Sequence, residues 1–209
     1  MMRKLILLNV FFIVLLGLAG SASAITMTAN FTADNVVDNW WLVDNGTETL
    51  LDRDQLVSRG LWNTADSVVF DLADGHSYSL IWKARNSGTI DPDYPTHNPA
   101  GFLADLDFGS YSLLTSSDWQ VSLDGTIWFD AVEYGNNGSV SEPSQIWGEI
   151  SNISTEAQWI WSAGNFTVDT NSDLYFRASF ATAPVPEPST ILLLGSGLAG
   201  LAFYRRKRK

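Results

Sequence analysis

The fold class turns on "HSYSLIWKARN", His76 to Asn86. Tyr78, Leu80, Trp82 and Ala84 alternate there with Ser77, Ser79, Lys83 and Arg85, and Ile81 is the one exception. Neighbouring side chains of an extended chain point to opposite faces, so a period of two predicts a half-buried strand. "DLYFRASF" (Asp173 to Phe180) behaves the same way. Leu174, Phe176, Ala178 and Phe180 face one side, and Tyr175, Arg177 and Ser179 the other. "SVVFDL" (Ser67 to Leu72), "AGFLADLDF" (Ala100 to Phe108) and "AQWIWSAG" (Ala157 to Gly164) predict further strands. Between them lie "DNG", "ADG", "RNSG", "LDG" and "GNNG", the chemistry of hairpin turns. No stretch sustains a 3.6-residue apolar repeat with caps. The expected class is all-β, an antiparallel β-sandwich or jelly roll over residues 25–181.

The flanking segments set the compartment. Arg3 and Lys4 precede an apolar run from Leu5 to Gly20, and Ala22 and Ala24 form the A-x-A pattern of a signal-peptidase site. Residues 1–24 are therefore expected to be a signal peptide, with Ile25 the mature N-terminus. Residues 25–184 carry five cations (Arg53, Arg59, Lys83, Arg85 and Arg177) against 22 of the 23 carboxylates, a balance of −17. Such a surface repels phosphate, so nucleic acid is not an expected partner. There is no cysteine, which excludes disulfides and thiol chemistry. Packing alone must hold the domain together, and all nine tryptophans fall inside it.

The chain closes on "VPEPSTILLLGSGLAGLAFYRRKRK". Residues 182–190 form a stiff proline-rich spacer, 191–204 a short apolar helix, and 205–209 a basic tail expected on the cytoplasmic side. Fourteen helical residues span about 21 Å, short of a hydrocarbon core of about 30 Å, so the segment is a marginal transmembrane anchor. Its "GSGLAG" fits the dinucleotide fingerprint, but it has neither a preceding strand nor a following acid and is set aside. Val185-Pro186-Glu187-Pro188, the short helix, and Arg205, Arg206, Lys207, Arg208 and Lys209 together resemble the PEP-CTERM sorting signal of Gram-negative bacteria. The resemblance implies recognition by exosortase, cleavage near the Pro-Glu-Pro, and delivery to the cell surface or an extracellular polysaccharide matrix. The expected partners are signal peptidase, exosortase, the membrane as a transient anchor, and exopolysaccharide.

"FTADNVVDNWWLVDNG" (Phe31 to Gly46) and "NPAGFLADL" (Asn98 to Leu106) resemble galactose-binding-like jelly rolls of exported proteins. That implies an eight- or nine-stranded sandwich but transfers no binding residue. Catalytic chemistry is sparse. His76 sits in a turn without triad partners, and His97 lies in the long loop "GTIDPDYPTHNPAG" beside Asp91 and Asp93. No enzyme activity is expected. No cofactor is required. A structural calcium ion has one candidate place, "DTNSD", where Asp169, Asn171 and Asp173 alternate; the same residues suit a polar turn. Trp40, Trp41, Asp91, Asp93 and Tyr94 are candidate sugar contacts. "WW" must put one ring on each face of its strand, whereas Trp159 and Trp161, at i and i+2, are expected to share a face in the core. Three functions stay open: a structural or adhesive matrix component, a carbohydrate-binding module, and a polysaccharide hydrolase.

Overall fold

The computed structural model describes residues 24–56, 61–86, 100–139, 147–162, 173–183 and 195–197. They form twelve strands: β1 (Ile25–Asp34), β2 (Val36–Asp44), β3 (Thr47–Leu50), β4 (Asp66–Leu72), β5 (Ser77–Arg85), β6 (Gly101–Asp107), β7 (Ser112–Leu114), β8 (Gln120–Ser122), β9 (Phe129–Asp130), β10 (Val132–Asn136), β11 (Gln158–Trp161) and β12 (Asp173–Ala181). A single 3-10 turn, Arg53–Gln55, follows β3. The count exceeds the eight or nine that the jelly-roll resemblance implies. Five of the twelve, β3, β7, β8, β9 and β11, are short, each of two to four residues.

All pairings are antiparallel and make two six-stranded sheets. The first runs β10-β11-β6-β1-β4 with β7 also on β6, and the second runs β3-β2-β5-β12-β8-β9. The long pairings are regular. Ile25 to Phe31 pair with Leu72 to Asp66, and Asp173 to Ala181 pair with Arg85 to Ser77. The β2–β3 hairpin turns at Asn45 and Gly46, both at positive φ (46° and 84°), as a tight two-residue turn between right-twisted strands requires.

The apolar faces of the two sheets meet. Met27, Ala29 and Phe31 of β1 and Phe102, Ala104 and Leu106 of β6 are buried in one cluster with Trp40, Leu80, Trp82, Ala84, Leu174, Phe176 and Ala178 of the second sheet. Aromatic rings span the interface: Phe102 lies 4.5 Å from Phe176, Phe31 5.2 Å from Trp40, and Trp82 5.4 Å from Phe102. Such contacts add about 0.5–1.5 kcal/mol each beyond the area they bury. They are how a cysteine-free chain holds its sheets together.

A second, smaller core covers the outer side of the first sheet. Leu103, Trp147, Ile150, Ile153, Ala157 and Trp159 are buried together there. Trp147 stacks on Trp159 at 4.3 Å, and its Nε1–H donates to Asp34 Oδ2 at 2.9 Å. Gly101 underlies the stack: a Cβ there would come within 2.7 Å of the Trp159 ring. Asn137 fastens the covering segment. Its Nδ2 donates to the carbonyls of Ile150 and Ile153, both at 2.9 Å, and its Oδ1 accepts from Ile150 N at 2.7 Å.

This arrangement corrects one expectation. Trp159 and Trp161 are both fully buried but serve different cores, for Trp161 packs 5.2 Å from Phe176 in the main one. β11 ends at Trp161 and pairs with β10 across a register shift between Glu133 and Asn136. A bulge adds local twist, so the alternation that holds in long strands fails in this short one.

Candidate functional site

Between them the cores bury six tryptophans: Trp40, Trp82, Trp119, Trp147, Trp159 and Trp161. Trp62 sits against the smaller one. Trp41 and Trp128 are left, both half-buried on the outer face of the second sheet. There the pairing sets Trp41, Ile81, Arg177 and Gln120 side by side on β2, β5, β12 and β8. The next outward row is Asn39, Lys83, Tyr175 and Ser122. Trp41 leans diagonally across β5 onto Tyr175, with centroids 6.2 Å apart and planes 29° from parallel.

The loop between β8 and β9 folds over the same face. Asp124 Oδ1 accepts from Thr126 N at 2.7 Å and Ile127 N at 3.0 Å, and Ser122 Oγ accepts from Gly125 N at 2.9 Å. Those backbone N–H bonds hold the Asp124 carboxyl well below the ordinary carboxylate range. The bonded loop brings Gly125 against the Tyr175 ring and seats the Trp128 ring 4.0 Å from the Arg177 guanidinium carbon. It also keeps Leu123, Ile127 and Phe129 in solvent, each at least 60% exposed.

The described cations gather on or beside this face. Lys83 Nζ binds Asp173 Oδ2 at 2.6 Å, and this hydrogen bond, first among several causes, raises the lysine above its ordinary pKa. Arg85 Nη2 donates to Asp38 Oδ1 at 3.2 Å, and Arg53 approaches the same carboxylate at 3.8 Å. Arg177 differs. Its Nε and Nη2 both donate to Gln120 Oε1, a neutral acceptor, and it makes no ion pair with any described carboxylate. Burial lowers the guanidinium below its ordinary pKa. Beside this row, Val43, Ser79, Ser179 and Gly46 line an open depression of about 490 Å³. The hydroxyls of Ser79 and Ser179 share a 2.8 Å hydrogen bond there.

The sequence candidates scatter. Trp40 is 0% exposed, its ring against Phe31 and Phe70, so it cannot meet a sugar and leaves the candidate set. Trp41 is the ring of the pair that turns outward, half-buried against Tyr175. Asp91, Asp93 and Tyr94 lie outside the described residues, as do Asp169 and Asn171, so the calcium candidate is seen only at Asp173. That carboxylate opens β12 and is engaged by Lys83. Among the described residues no group of three or more His, Cys, Asp or Glu is arranged to hold a metal ion. Ala22 and residues 184–194 and 198–209, with every sorting-signal residue, are likewise outside, while Ala24 is exposed just before β1. No sequence motif singles out Trp128, Gln120, Tyr175 or Arg177, although the outward face of "DLYFRASF" displays the last two.

The class that these features define is an all-β protein of two antiparallel sheets with an aromatic and cationic outer face. Its C-terminal residues 184–209 match the model of the PEP-CTERM protein-sorting motif. The motif implies an exosortase-targeted extracellular protein, exported by way of a transient membrane anchor. Among the described residues no helix is long and apolar enough to cross a membrane. No curated protein and no solved structure matches the chain, so the likeness to galactose-binding-like jelly rolls rests on its sequence motifs.

Proposed function

We propose that this is an exported, exosortase-processed protein of the cell surface or extracellular polysaccharide matrix, whose β-sandwich adheres to carbohydrate without catalysing a reaction. The sorting motif supports the destination. On this reading residues 1–24 direct export, 191–204 hold the precursor in the membrane with 205–209 in the cytoplasm, and exosortase cuts near Pro186, Glu187 and Pro188.

One observation carries the carbohydrate reading: two rings, Trp41 and Tyr175, stacked on an outward sheet face among hydrogen-bonding side chains. A pyranose has an apolar face that can lie on such rings and a rim of hydroxyls that needs donors and acceptors. Gln120, Lys83, Asp173 and the paired serines supply them at adjoining positions. An open sheet face suits a polymer, which arrives from the side. Asp38 and Asp173 are taken up by cations instead of facing each other across a cleft as a hydrolytic pair would, which supports a binding role.

The test is a glycan array and affinity electrophoresis of the full chain, with calcium and with chelator. Retention by at least one polysaccharide is expected in both conditions. Trp41→Ala together with Tyr175→Ala should weaken it about tenfold or more, about 1.4 kcal/mol, with the circular dichroism spectrum unchanged. No retention by any glycan sinks the carbohydrate reading and leaves a ligand-free structural role in the matrix.

A further inference from the structure

We infer that this face selects an acidic polysaccharide, with the carboxylate of a uronic-acid unit docking on Arg177 while its own or a neighbouring ring lies on Trp41 and Tyr175. The inference rests on the carbohydrate-binding reading above.

The argument begins with which guanidinium donors are in use. An arginine has five N–H donors in a planar fork. Gln120 Oε1 takes the edge formed by Nε and Nη2, and the Trp128 ring covers one face of the plane at 4.0 Å. The end formed by Nη1 and Nη2 remains, and that end matches the two oxygens of a planar carboxylate. Gln120 and Trp128 also fix the plane in advance, so little side-chain freedom is left to lose on binding.

Charge distribution supports the same partner. The domain is strongly acidic, yet Arg53, Lys83, Arg85 and Arg177 all lie on or next to this one face. Three of them are matched by Asp38 and Asp173, which leaves Arg177 as the cation without an acidic partner among the described residues. Asp130, one strand beyond Gln120, makes no ion pair with it. At physiological salt a charge is screened beyond about 8 Å, so a docked carboxylate responds mainly to the guanidinium it touches. A carboxylate takes two parallel bonds from the Nη1 and Nη2 end, one on each oxygen and between opposite charges, which adds energy and geometric specificity over a single bond to a neutral hydroxyl. Replacing the carboxylate by a hydroxymethyl group would forfeit that advantage.

The experiment compares polygalacturonate, alginate and hyaluronate with their carboxyl-reduced counterparts, which keep the backbone and lose the charge. The protein is the full 209-residue chain in mild detergent. At least one carboxylated polymer should bind tenfold or more tighter than its reduced form. Arg177→Gln should erase that difference. Arg177→Lys, which keeps the charge but not the fork, should recover only part of it. Equal binding of both forms, or an Arg177→Gln chain that still prefers the acid, overturns the inference and leaves the carbohydrate reading standing. Binding to neutral glycans alone does the same. No binding to any polysaccharide overturns both.

Discussion

At the scale of single residues, the most consequential group away from the site is Asp34. It ends β1 on the outer side of the first sheet, 6% exposed, where Trp147 Nε1 donates to it. Burial raises its pKa from 3.8 to about 6, and the hydrogen bond offsets part of that rise. A carboxyl whose folded pKa lies above its unfolded value binds its proton more tightly in the native state. Its contribution to stability is therefore complete below pH 3.8 and is lost as pH rises through about 6. A shift of this size corresponds to about 3 kcal/mol at most. Asp34→Asn keeps an acceptor for Trp147 and removes the titration. Urea midpoints of the two proteins should therefore diverge between pH 4 and pH 7, with the Asn variant gaining roughly 2–3 kcal/mol relative to the parent. Parallel curves would show that water or relaxation solvates the carboxylate after all.

At the scale of elements, strand faces were legible where strands are long. Tyr78, Leu80, Trp82 and Ala84 are buried as their alternation requires, because β5 runs nine residues without a break. "WW" was legible only in part. The alternation demands opposite faces, but the register shift between Val37 and Asn39 resets the count, so which ring turns inward could not be read. The Arg177 cradle depends on β8 pairing with β12 and on a loop folding back, contacts across 57 residues that no local pattern encodes. The smaller core was invisible for another reason. Thr32 and Asp34 look solvent-facing, yet both are buried, Thr32 Oγ1 donating to Trp62 O and Asp34 accepting from Trp147 Nε1. Asn137 holds the segment around Trp147 to Ala157 with three short hydrogen bonds. Asn137→Ala leaves buried backbone groups without partners, each costing about 1–3 kcal/mol. Amide exchange should then lose protection at Ile150 and Ser154 while β5 and β12 keep theirs. Unchanged protection at both places would mean that the packing of Trp147 and Ile153 is enough to hold the segment.

For the whole molecule, the question is whether a domain built to be cut loose depends on what is cut away. The last strand, β12, lies centrally in the second sheet between β5 and β8, so the tail leaves from a structurally essential element. The exit is tied down. Thr182 N donates to His76 O at 3.0 Å, Thr182 Oγ1 donates to Ala73 O at 2.7 Å, and His76 N donates to Thr182 Oγ1 at 3.0 Å. His76 in turn lies with Nδ1 2.7 Å from Asp44 Oδ1, which couples the exit to the end of β2. Proposed cleavage near Pro186 keeps Thr182 in the product, so processing should cost the fold nothing. A chain ending at Ala183 should unfold within a degree or two of the full chain. One ending at Ala181 loses three hydrogen bonds, about 0.5–1.5 kcal/mol each, and should melt several degrees lower. Equal melting of all three chains would place the limit of the folded unit before Thr182. A large loss already at Ala183 would mean that the sorting segment supports the sandwich, which would argue against its removal during maturation.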